Sequence, residues 1–169
     1  MAVRTPLFMK DASVKIVIPP GPISGAVEYN CDVNTVEVLA AAGDTVTYQT
    51  LCPTGTNSQV APSTYSVHLK GVQDWGTDGL SAFLWANAGK TARLVANAHG
   101  ASAAYAAATP GFDCSVVLVE GTYGGEAGKW AEFDVEFPCT VRPILLTTTP
   151  TADAPEADAQ LGLDDAAAA

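Results

Sequence analysis

The chain has 169 residues, of which 48% are hydrophobic and 15% are charged, a balance that is typical of one folded domain and argues against general disorder. Its formal net charge is −10, and its eight lysines and arginines are scattered. Because a protein that grips the phosphate backbone needs clustered basic residues, this composition argues against nucleic-acid binding, although an acidic surface can let DNA slide past.

Cysteine usage gives no sign of a metal site, because the cysteines are widely spaced, with no C-x-x-C pair and no histidine at metal-ligand spacing. We expect buried thiols in a reducing compartment, and two disulfides in an exported protein are the alternative. No signal peptide and no membrane-spanning run is recognisable, so we expect a protein that is cytosolic when made. The cysteines are Cys31, Cys52, Cys114 and Cys139.

The N-terminal half of the chain is rich in strand signals. Residues 1–11 lack periodicity and are predicted to be an arm, while residues 13–18 (SVKIVI) form a first strand that a proline-rich segment ends. Residues 33–39 and 45–51 are β-rich and are predicted to form a hairpin across Ala-Ala-Ala-Gly-Asp. A short helix is the alternative for the first of these runs. Residues 52–64 (CPTGTNSQVAPST) are polar and aperiodic, which predicts a long loop that is either a contact with another subunit or a plain surface loop.

The middle of the chain carries one helix between strands. Residues 65–73 alternate and place His68 on a polar face, where we expect it to be solvated. Thr77 or Asp78 is predicted to cap a helix that runs to about residue 87 and ends at Gly89. Its apolar stripe is expected to cover one face or one end of the sheets and consists of Leu80, Phe83, Leu84 and Ala88.

Two further strands are predicted at residues 91–98 and 114–120, and the second is apolar enough to be buried. Residues 99–111 are alanine-rich and are compatible with either a helical turn or a loop. Residues 121–128 (GTYGGEAG) hold so many glycines that positive φ angles or close backbone approach are expected. This turn lacks the G-K-[ST] ending of a phosphate-binding loop.

Residues 129–138 (KWAEFDVEFP) show the clearest strand pattern in the sequence. Because side chains alternate along a strand, one face is apolar and the other consists of Glu132, Asp134 and Glu136. Such a strand is dry on one side and negative on the other. Pairing it with copies of itself is unfavourable unless water or counterions separate the charges. From residue 147 the composition becomes acidic and low in complexity, which predicts a disordered tail over residues 147–169.

Signals for catalysis are missing from the sequence. The two histidines, His68 and His99, are the only side chains that normally titrate near neutral pH, and no G-x-S-x-G elbow is present. The carboxylates of the acidic strand lie roughly 7 Å apart, close to the separation in an inverting glycosidase, but three in a row on one strand are more typical of a surface. We therefore expect no catalytic residue, no cofactor and no metal.

Two stretches carry a resemblance to a known family. GVQDWGTDGLSAFLWANAGK (residues 71–90) and GTYGGEAGKWAEFDVEFPCTVRP (residues 121–143) resemble the major tail (tail-tube) proteins of long-tailed, non-contractile bacteriophages. The resemblance covers roughly residues 13–143. It implies an antiparallel two-sheet β-sandwich with one flanking helix over residues 12–146, a fold shared with bacterial type VI secretion tube proteins.

The resemblance also implies partners and a location. Six subunits would close into a ring whose inner strands form a continuous β-barrel, and rings would stack into a tube around a tape-measure protein. Tail-tip and tail-terminator proteins would be further partners, DNA would pass as non-sticking cargo, and no membrane would be involved. The protein would be made and assembled in the host cytoplasm and would reside in the virion tail.

Within this framework, Glu132, Asp134 and Glu136 are predicted to face the lumen, and an ordinary solvated outer face is the alternative. The arm of residues 1–11 and the loop of residues 52–64 are predicted to make ring-to-ring contacts. The loop residues singled out are Pro53, Thr54, Gly55, Thr56, Asn57, Ser58 and Gln59.

Three rival functions remain open at this point. The first is another virion β-sandwich, either a capsid decoration protein or a tail terminator, and the second is an immunoglobulin-like adhesion module. The third is a carbohydrate-binding module, suggested by the tyrosines and by Trp75, Trp85 and Trp130. We expect these tryptophans to pack in the core, because they fall in predicted core elements.

Overall fold

The computed structural model describes residues 12–22, 26–49, 56–97, 105–106 and 109–148. Within these ranges the chain is mainly β, with antiparallel sheets and one helix, which confirms the predicted fold class. The elements are β1 (Ser13–Val17), β2 (Val27–Glu28), β3 (Val33–Ala41), β4 (Thr45–Gln49), β5 (Thr56–Val60), β6 (Thr64–Val72), α1 (Leu80–Asn87), β7 (Thr91–Asn97), β8 (Gly111–Val117), β9 (Glu132–Pro138) and β10 (Ile144–Leu146).

Two sheets enclose the core. One has the strand order β10-β8-β7-β1-β2 and the other has the order β3-β6-β9. Alternation along each strand sends one set of side chains inward, and α1 adds Leu80 and Leu84 to the same cluster. Among the largest fully buried side chains are Phe133, Phe137, Ile16, Leu69 and Leu94.

The predicted hairpin between β3 and β4 is wrong. β3 pairs with β6, where Ala41 faces Thr64, and β4 pairs with β5, where Thr45 faces Val60. Three residues (42–44) separate β3 from β4, and three residues (61–63) separate β5 from β6. Between the two ladders, the amide of Ala61 donates to the carbonyl of Asp44 (2.9 Å). Strand β4 therefore continues in the direction of β3, and the two pair antiparallel with β5 and β6. We call this long antiparallel pair, residues 33–49 with 56–72, the ribbon.

Residues 56–60 were part of the predicted irregular loop, and they form β5 instead. Threonine and valine in an otherwise polar stretch suit a two-stranded ladder that is exposed on both faces. Val46 and Val60 are 63% and 64% exposed, so this end of the ribbon lies outside the core. Residues 50–55 lie outside the described residues, as do the arm of residues 1–11 and residues 149–169 of the predicted tail.

The helix begins later than predicted. Its N-cap residue is Gly79, and the amide of Leu80 donates to a carboxylate oxygen of Asp32 (3.0 Å) from the segment before β3. Asp32 supplies the hydrogen bond that Thr77 or Asp78 was expected to make. The helix ends before Gly89, whose φ of 81° is in the left-handed region that glycine favours.

The glycine-rich segment before β9 behaves as its composition predicts. Gly124 and Gly128 have φ angles of 89° and 85°, and a Cβ on Gly125 would lie 3.2 Å from Cα of Ala131. Both reasons for glycine, positive φ and close backbone approach, are therefore present. The strand predicted at residues 114–120 is shifted, because β8 spans Gly111–Val117.

After β9 the chain passes from one sheet to the other. Residues 132–138 pair with β6, and the amide of Cys139 still donates to the carbonyl of Tyr65 in that strand (2.9 Å). Cys139 also forms a bridge with Val116 of β8, and the amide of Thr140 donates to the carbonyl of Ser115 (2.9 Å). Strand β9 itself ends at Pro138, and the two residues after it connect the three-stranded sheet to β8.

Candidate functional site: an acidic sheet face and an aromatic cluster

The outer face of the three-stranded sheet gathers most of the chemistry-bearing side chains predicted from the sequence. Strand alternation and the register of β3, β6 and β9 bring seven polar residues onto one surface. We call this surface the acidic face. Its members are Glu37 of β3, Ser66, His68 and Lys70 of β6, and Glu132, Asp134 and Glu136 of β9.

Strand β9 confirms the alternation expected of it. Glu132, Asp134 and Glu136 are exposed. On the reverse side Phe133, Val135 and Phe137 retain 1%, 4% and 0% of their accessible surface. The strand is therefore anchored by its apolar side and offers its carboxylates to whatever lies outside the sheet.

Each of the three carboxylates of β9 has a hydroxyl or basic partner, which corrects the expectation of a purely acidic surface. The hydroxyl of Ser66 donates to Glu136 (2.5 Å), and Nζ of Lys70 lies 3.8 Å from an oxygen of Glu132. Nε2 of His68 lies 2.7 Å from Oδ1 of Asp134. Each carboxylate thus has a partner on the neighbouring strand, and the sequence could not show this because it does not reveal which strands pair.

His68 joins all three strands of this sheet. Its Nδ1 lies 3.3 Å from an oxygen of Glu37, on the side opposite Asp134. Hydrogen bonds to Asp134 and then to Glu37 raise the pKa of His68 above its ordinary value. The prediction that this histidine lies on a polar face is confirmed, and it serves there as a bridge between carboxylates.

The acidic face remains negative at any protonation state of His68. It carries four carboxylates, and the positive groups are Lys70 and, when protonated, His68. A surface of this kind attracts counterions and repels polyanions. In the part of the chain that the structure describes, no group of three or more histidine, cysteine or acidic side chains could hold a metal ion.

The predicted contact loop is only partly described. Pro53, Thr54 and Gly55 lie outside the described residues, whereas Thr56, Asn57, Ser58 and Gln59 lie in β5 at the outer end of the ribbon. Ser58 and Gln59 are exposed. His99, the other histidine, also lies outside the described residues.

The expectation that the tryptophans pack in the core is wrong. Trp75, Trp85 and Trp130 are 52%, 58% and 84% exposed. Trp75 and Trp85 converge with Tyr123 from three separate segments: the loop after β6, helix α1 and the loop before β9. The ring centroids of Tyr123 lie 5.2 Å from those of both tryptophans, and the tryptophan centroids lie 6.4 Å apart. We call these three residues the aromatic cluster.

Three of the cysteines lie among the described residues. Cys31, Cys114 and Cys139 are free thiols, and burial raises the pKa of Cys114 to about 12. Cys31 is exposed, contrary to the expectation of buried thiols, and Cys52 lies outside the described residues. No helix in the described ranges has the length and apolar character needed to cross a bilayer.

Comparison with known proteins identifies the fold. No protein-family model matches the sequence, and the comparison with curated proteins finds no match. Among solved structures, the chain is similar to a chain in the cryo-EM structure of the anti-feeding prophage baseplate, 6-fold symmetrised, with a TM-score of 0.56 and 9% sequence identity. The match covers 88% of this chain and 100% of that chain. The β-sandwich described here is therefore a fold that also occurs in the baseplate of a prophage particle.

Proposed function

We propose that this protein is a structural, non-enzymatic subunit of a phage tail tube. Copies close into hexameric rings, the rings stack into a cylinder, and DNA travels through its interior. The observation that carries this proposal is the similarity of nearly the whole chain to a chain of the anti-feeding prophage baseplate. The resemblance of residues 71–90 and 121–143 to major tail proteins supports the tube rather than another part of the tail.

The acidic face supplies the lining of such a tube. A conduit for DNA must not hold phosphates, so its wall should be neutral or negative. Glu132, Asp134 and Glu136 are exposed and held in register by an apolar underside. Their partners on β6 reduce the repulsion between neighbouring carboxylates without reversing the sign of the surface.

The edges of the three-stranded sheet support ring closure. In the strand order β3-β6-β9, strands β3 and β9 stand at the edges. An exposed edge offers unpaired backbone groups to another strand, and closing subunits into a ring removes such edges. Contacts of this kind between copies would place the acidic faces of successive subunits side by side around one hollow.

The outer end of the ribbon supports stacking. Two-stranded sheets are marginally stable alone, and β4 and β5 carry the exposed valines Val46 and Val60 on opposite faces of the pair, because Val60 faces Thr45 and Val46 faces Gln59. A neighbouring ring would bury these valines and stabilise the pair. In the assembled tail the further partners would be tape-measure, tail-tip and tail-terminator proteins.

Negative-stain electron microscopy of the purified full chain, alone and with a tail-tip complex, tests the proposal. Uniform hollow cylinders are the expected result. A capsid decoration protein would instead bind capsids and stop, and a monomer that forms no cylinders under either condition would contradict the proposal.

Cysteine labelling tests which face lines the hollow. In a background with Cys31→Ser and Cys52→Ser, Asp134→Cys should react with a small maleimide before and after assembly, but with a bulky polyethylene-glycol maleimide only before assembly. Asp78→Cys, on an exposed loop, is the matched control. A cysteine outside the hollow should react with both reagents before and after assembly. Equal reaction of Asp134→Cys with the bulky reagent in cylinders would place the acidic face on the outside.

A further inference from the structure

The aromatic cluster has the properties of a binding surface. Trp75 and Trp85 each expose more than half of their surface, although large aromatic side chains are usually withdrawn from water. Exposed apolar patches with a polar surround mark interaction sites, and tryptophan and tyrosine dominate the residues that carry binding energy. Since the three rings come from three separate segments, no local sequence constraint accounts for their meeting.

Gln73 holds the cluster in place. Its Nε2 lies within 2.8–3.1 Å of the carbonyl oxygens of Thr122, Gly124 and Glu132, and its Oε1 accepts from the amide of Gly124 (3.1 Å). Nε1 of Trp75 donates to the same Oε1 (3.4 Å). The loop that carries Tyr123 is therefore tied to the end of β6, and a surface fixed in advance loses little entropy on binding.

The hydrogen-bonding capacity of Gln73 is spent within the protein. A sugar site needs polar groups beside its aromatic rings that are available to orient hydroxyl groups. Here the amide next to the rings is engaged by backbone groups and by the indole of Trp75. Gln73 therefore offers no free group to a ligand, and the exposed surface of the two tryptophans is apolar.

Negative charge borders the cluster. Asp74 adjoins Trp75 and is exposed. Glu120, three residues before Tyr123, is exposed as well. An apolar centre with carboxylates beside it is complementary to a segment that combines apolar and basic side chains, because cations are attracted both to carboxylates and to the faces of aromatic rings.

The chain itself contains a segment of that composition. Residues 1–11 read MAVRTPLFMKD and place Leu7, Phe8 and Met9 between Arg4 and Lys10. These eleven residues lie outside the described part of the chain, and they lead directly into β1.

Topology places the segment and the cluster at opposite ends of the five-stranded sheet. Ser13 faces Asn97, which in turn faces Gly111, so the chain enters β1 where β7 ends. The cluster lies at the other end, where α1 leads into β7. There the amide of Gly89, which follows Trp85, donates to the carbonyl of Leu118, which precedes Tyr123 (2.8 Å). The seven residues of β7 separate the two ends by about 20 Å.

Because the segment and the cluster lie at opposite ends of the sheet, a contact between two copies is favoured over a contact within one copy. To reach its own cluster, the segment must double back along the sheet, whereas a copy stacked end to end presents its cluster directly. A contact between different surfaces of identical subunits is the kind that builds open, repeating assemblies.

We propose that the aromatic cluster receives residues 1–11 of a neighbouring copy of this chain. The proposal rests on the proposed function, because it requires copies that stack end to end. Phe8 and its apolar neighbours pack on Trp75, Trp85 and Tyr123, and the two basic side chains face Asp74 and Glu120.

Photo-crosslinking of the full chain tests this contact. Phe8 is replaced by p-benzoylphenylalanine, and equal amounts of isotopically light and heavy protein are mixed before assembly and irradiation. Mass spectrometry should find residue 8 joined to Trp75 or Trp85 within the tryptic peptide 71–90, or to Tyr123, with light and heavy copies linked to each other. The same photoreactive residue in place of Ile144, which is 61% exposed, is the matched control and should give no link to the cluster.

A double variant, Trp75→Ser with Trp85→Ser, should lower the yield of this link by about tenfold or more, as loss of a binding hot spot does. Both side chains are exposed, so the fold should persist, and far-ultraviolet circular dichroism checks that it does. An unchanged yield would overturn the proposal.

Microscopy of the same samples separates this inference from the proposed function. Cylinders whose links from residue 8 map elsewhere, or stay within one copy, overturn the contact and leave the tube intact. Samples without cylinders contradict the tube itself. Tryptophan fluorescence that responds to soluble β-linked oligosaccharides, together with links elsewhere, would overturn the contact in favour of a sugar site.

Discussion

The imidazole of His68 lies between two carboxylates, 2.7 Å from Asp134 on one neighbouring strand and 3.3 Å from Glu37 on the other. One side chain in the middle strand therefore ties both edge strands together across the acidic face. Because the ring can carry a charge, the strength of this tie depends on pH.

The pH dependence of stability should reveal this bridge. Hydrogen bonds to Asp134 and Glu37 raise the folded-state pKa of His68, so its contribution is fully present below the unfolded value of about 6.5 and is lost as the pH rises through the folded pKa. We expect His68→Gln to lower the free energy of unfolding by less than about 1 kcal/mol at pH 5.5, since the pair is partly exposed. The deficit should shrink as the pH rises, in urea denaturation measured from pH 5 to 9.

Other charges on the acidic face provide the control for that experiment. Lys70, Glu132 and Glu136 face the same surface, and Lys70→Gln removes a cation from it without touching the imidazole. Its deficit should stay level between pH 5.5 and 8. A His68→Gln deficit that is equally level would show that the bridge does not depend on protonation.

The capping of the helix by Asp32 gives a prediction about stability. Removing a side chain that accepts from the first turn of a helix costs about 1 kcal/mol, so Asp32→Ala should lower the free energy of unfolding by that amount. Asp78→Ala, at the position that the sequence suggested for the cap, should change it by less than about 0.5 kcal/mol. Chemical denaturation of the two variants compares them directly, and equal losses would contradict the assignment of the cap.

The underside of β9 should dominate the stability of the acidic face. Phe137 is fully buried, and replacing a buried phenylalanine by alanine costs about 3–5 kcal/mol. Trp130, at the start of the same segment, is 84% exposed, and Trp130→Ala should cost less than about 0.5 kcal/mol. If the tryptophan variant were the more damaging one in guanidinium titrations, the division into a dry and a wet side would be incorrect.

The ribbon gives a prediction about assembly rather than folding. Val46→Ser with Val60→Ser should leave the free energy of unfolding within about 0.5 kcal/mol of the parent, because both valines are exposed. Electron microscopy should nevertheless show few or no cylinders. Ile144→Ser removes an equally exposed apolar side chain from β10 and should assemble normally, and cylinders of ordinary length from the double variant would contradict a role of the ribbon in stacking.

Periodicity predicted most of what depends on a single strand. The alternation of residues 129–138 identified which side chains of β9 are buried, and the apolar stripe identified Leu80 and Leu84 as core residues. Both follow from the geometry of one element, in which the spacing of apolar residues reports the buried face. The glycine content of residues 121–128 indicated positive φ for the same local reason.

Features that depend on which elements meet were not predictable. Alternation shows which face of β3 is polar but not that β6 is its partner, so the hairpin with β4 was predicted wrongly and the bridge through His68 was missed. Asp32 caps a helix that begins 48 residues later. Trp75 and Trp85 were expected in the core because they fall in predicted core elements, but Trp75 lies in the loop after β6, Trp85 lies in α1, and both side chains are exposed.

The passage of the chain from one sheet to the other after β9 has a mechanical consequence. The segment that bears Glu132, Asp134 and Glu136 is bonded to β6, and the residues that follow it are bonded to β8 through Cys139 and Thr140. A pull along this strand must therefore break the ladder with β6 and the bridge to β8 together. A load on the carboxylates of this strand would be shared between both halves of the sandwich instead of peeling one strand away.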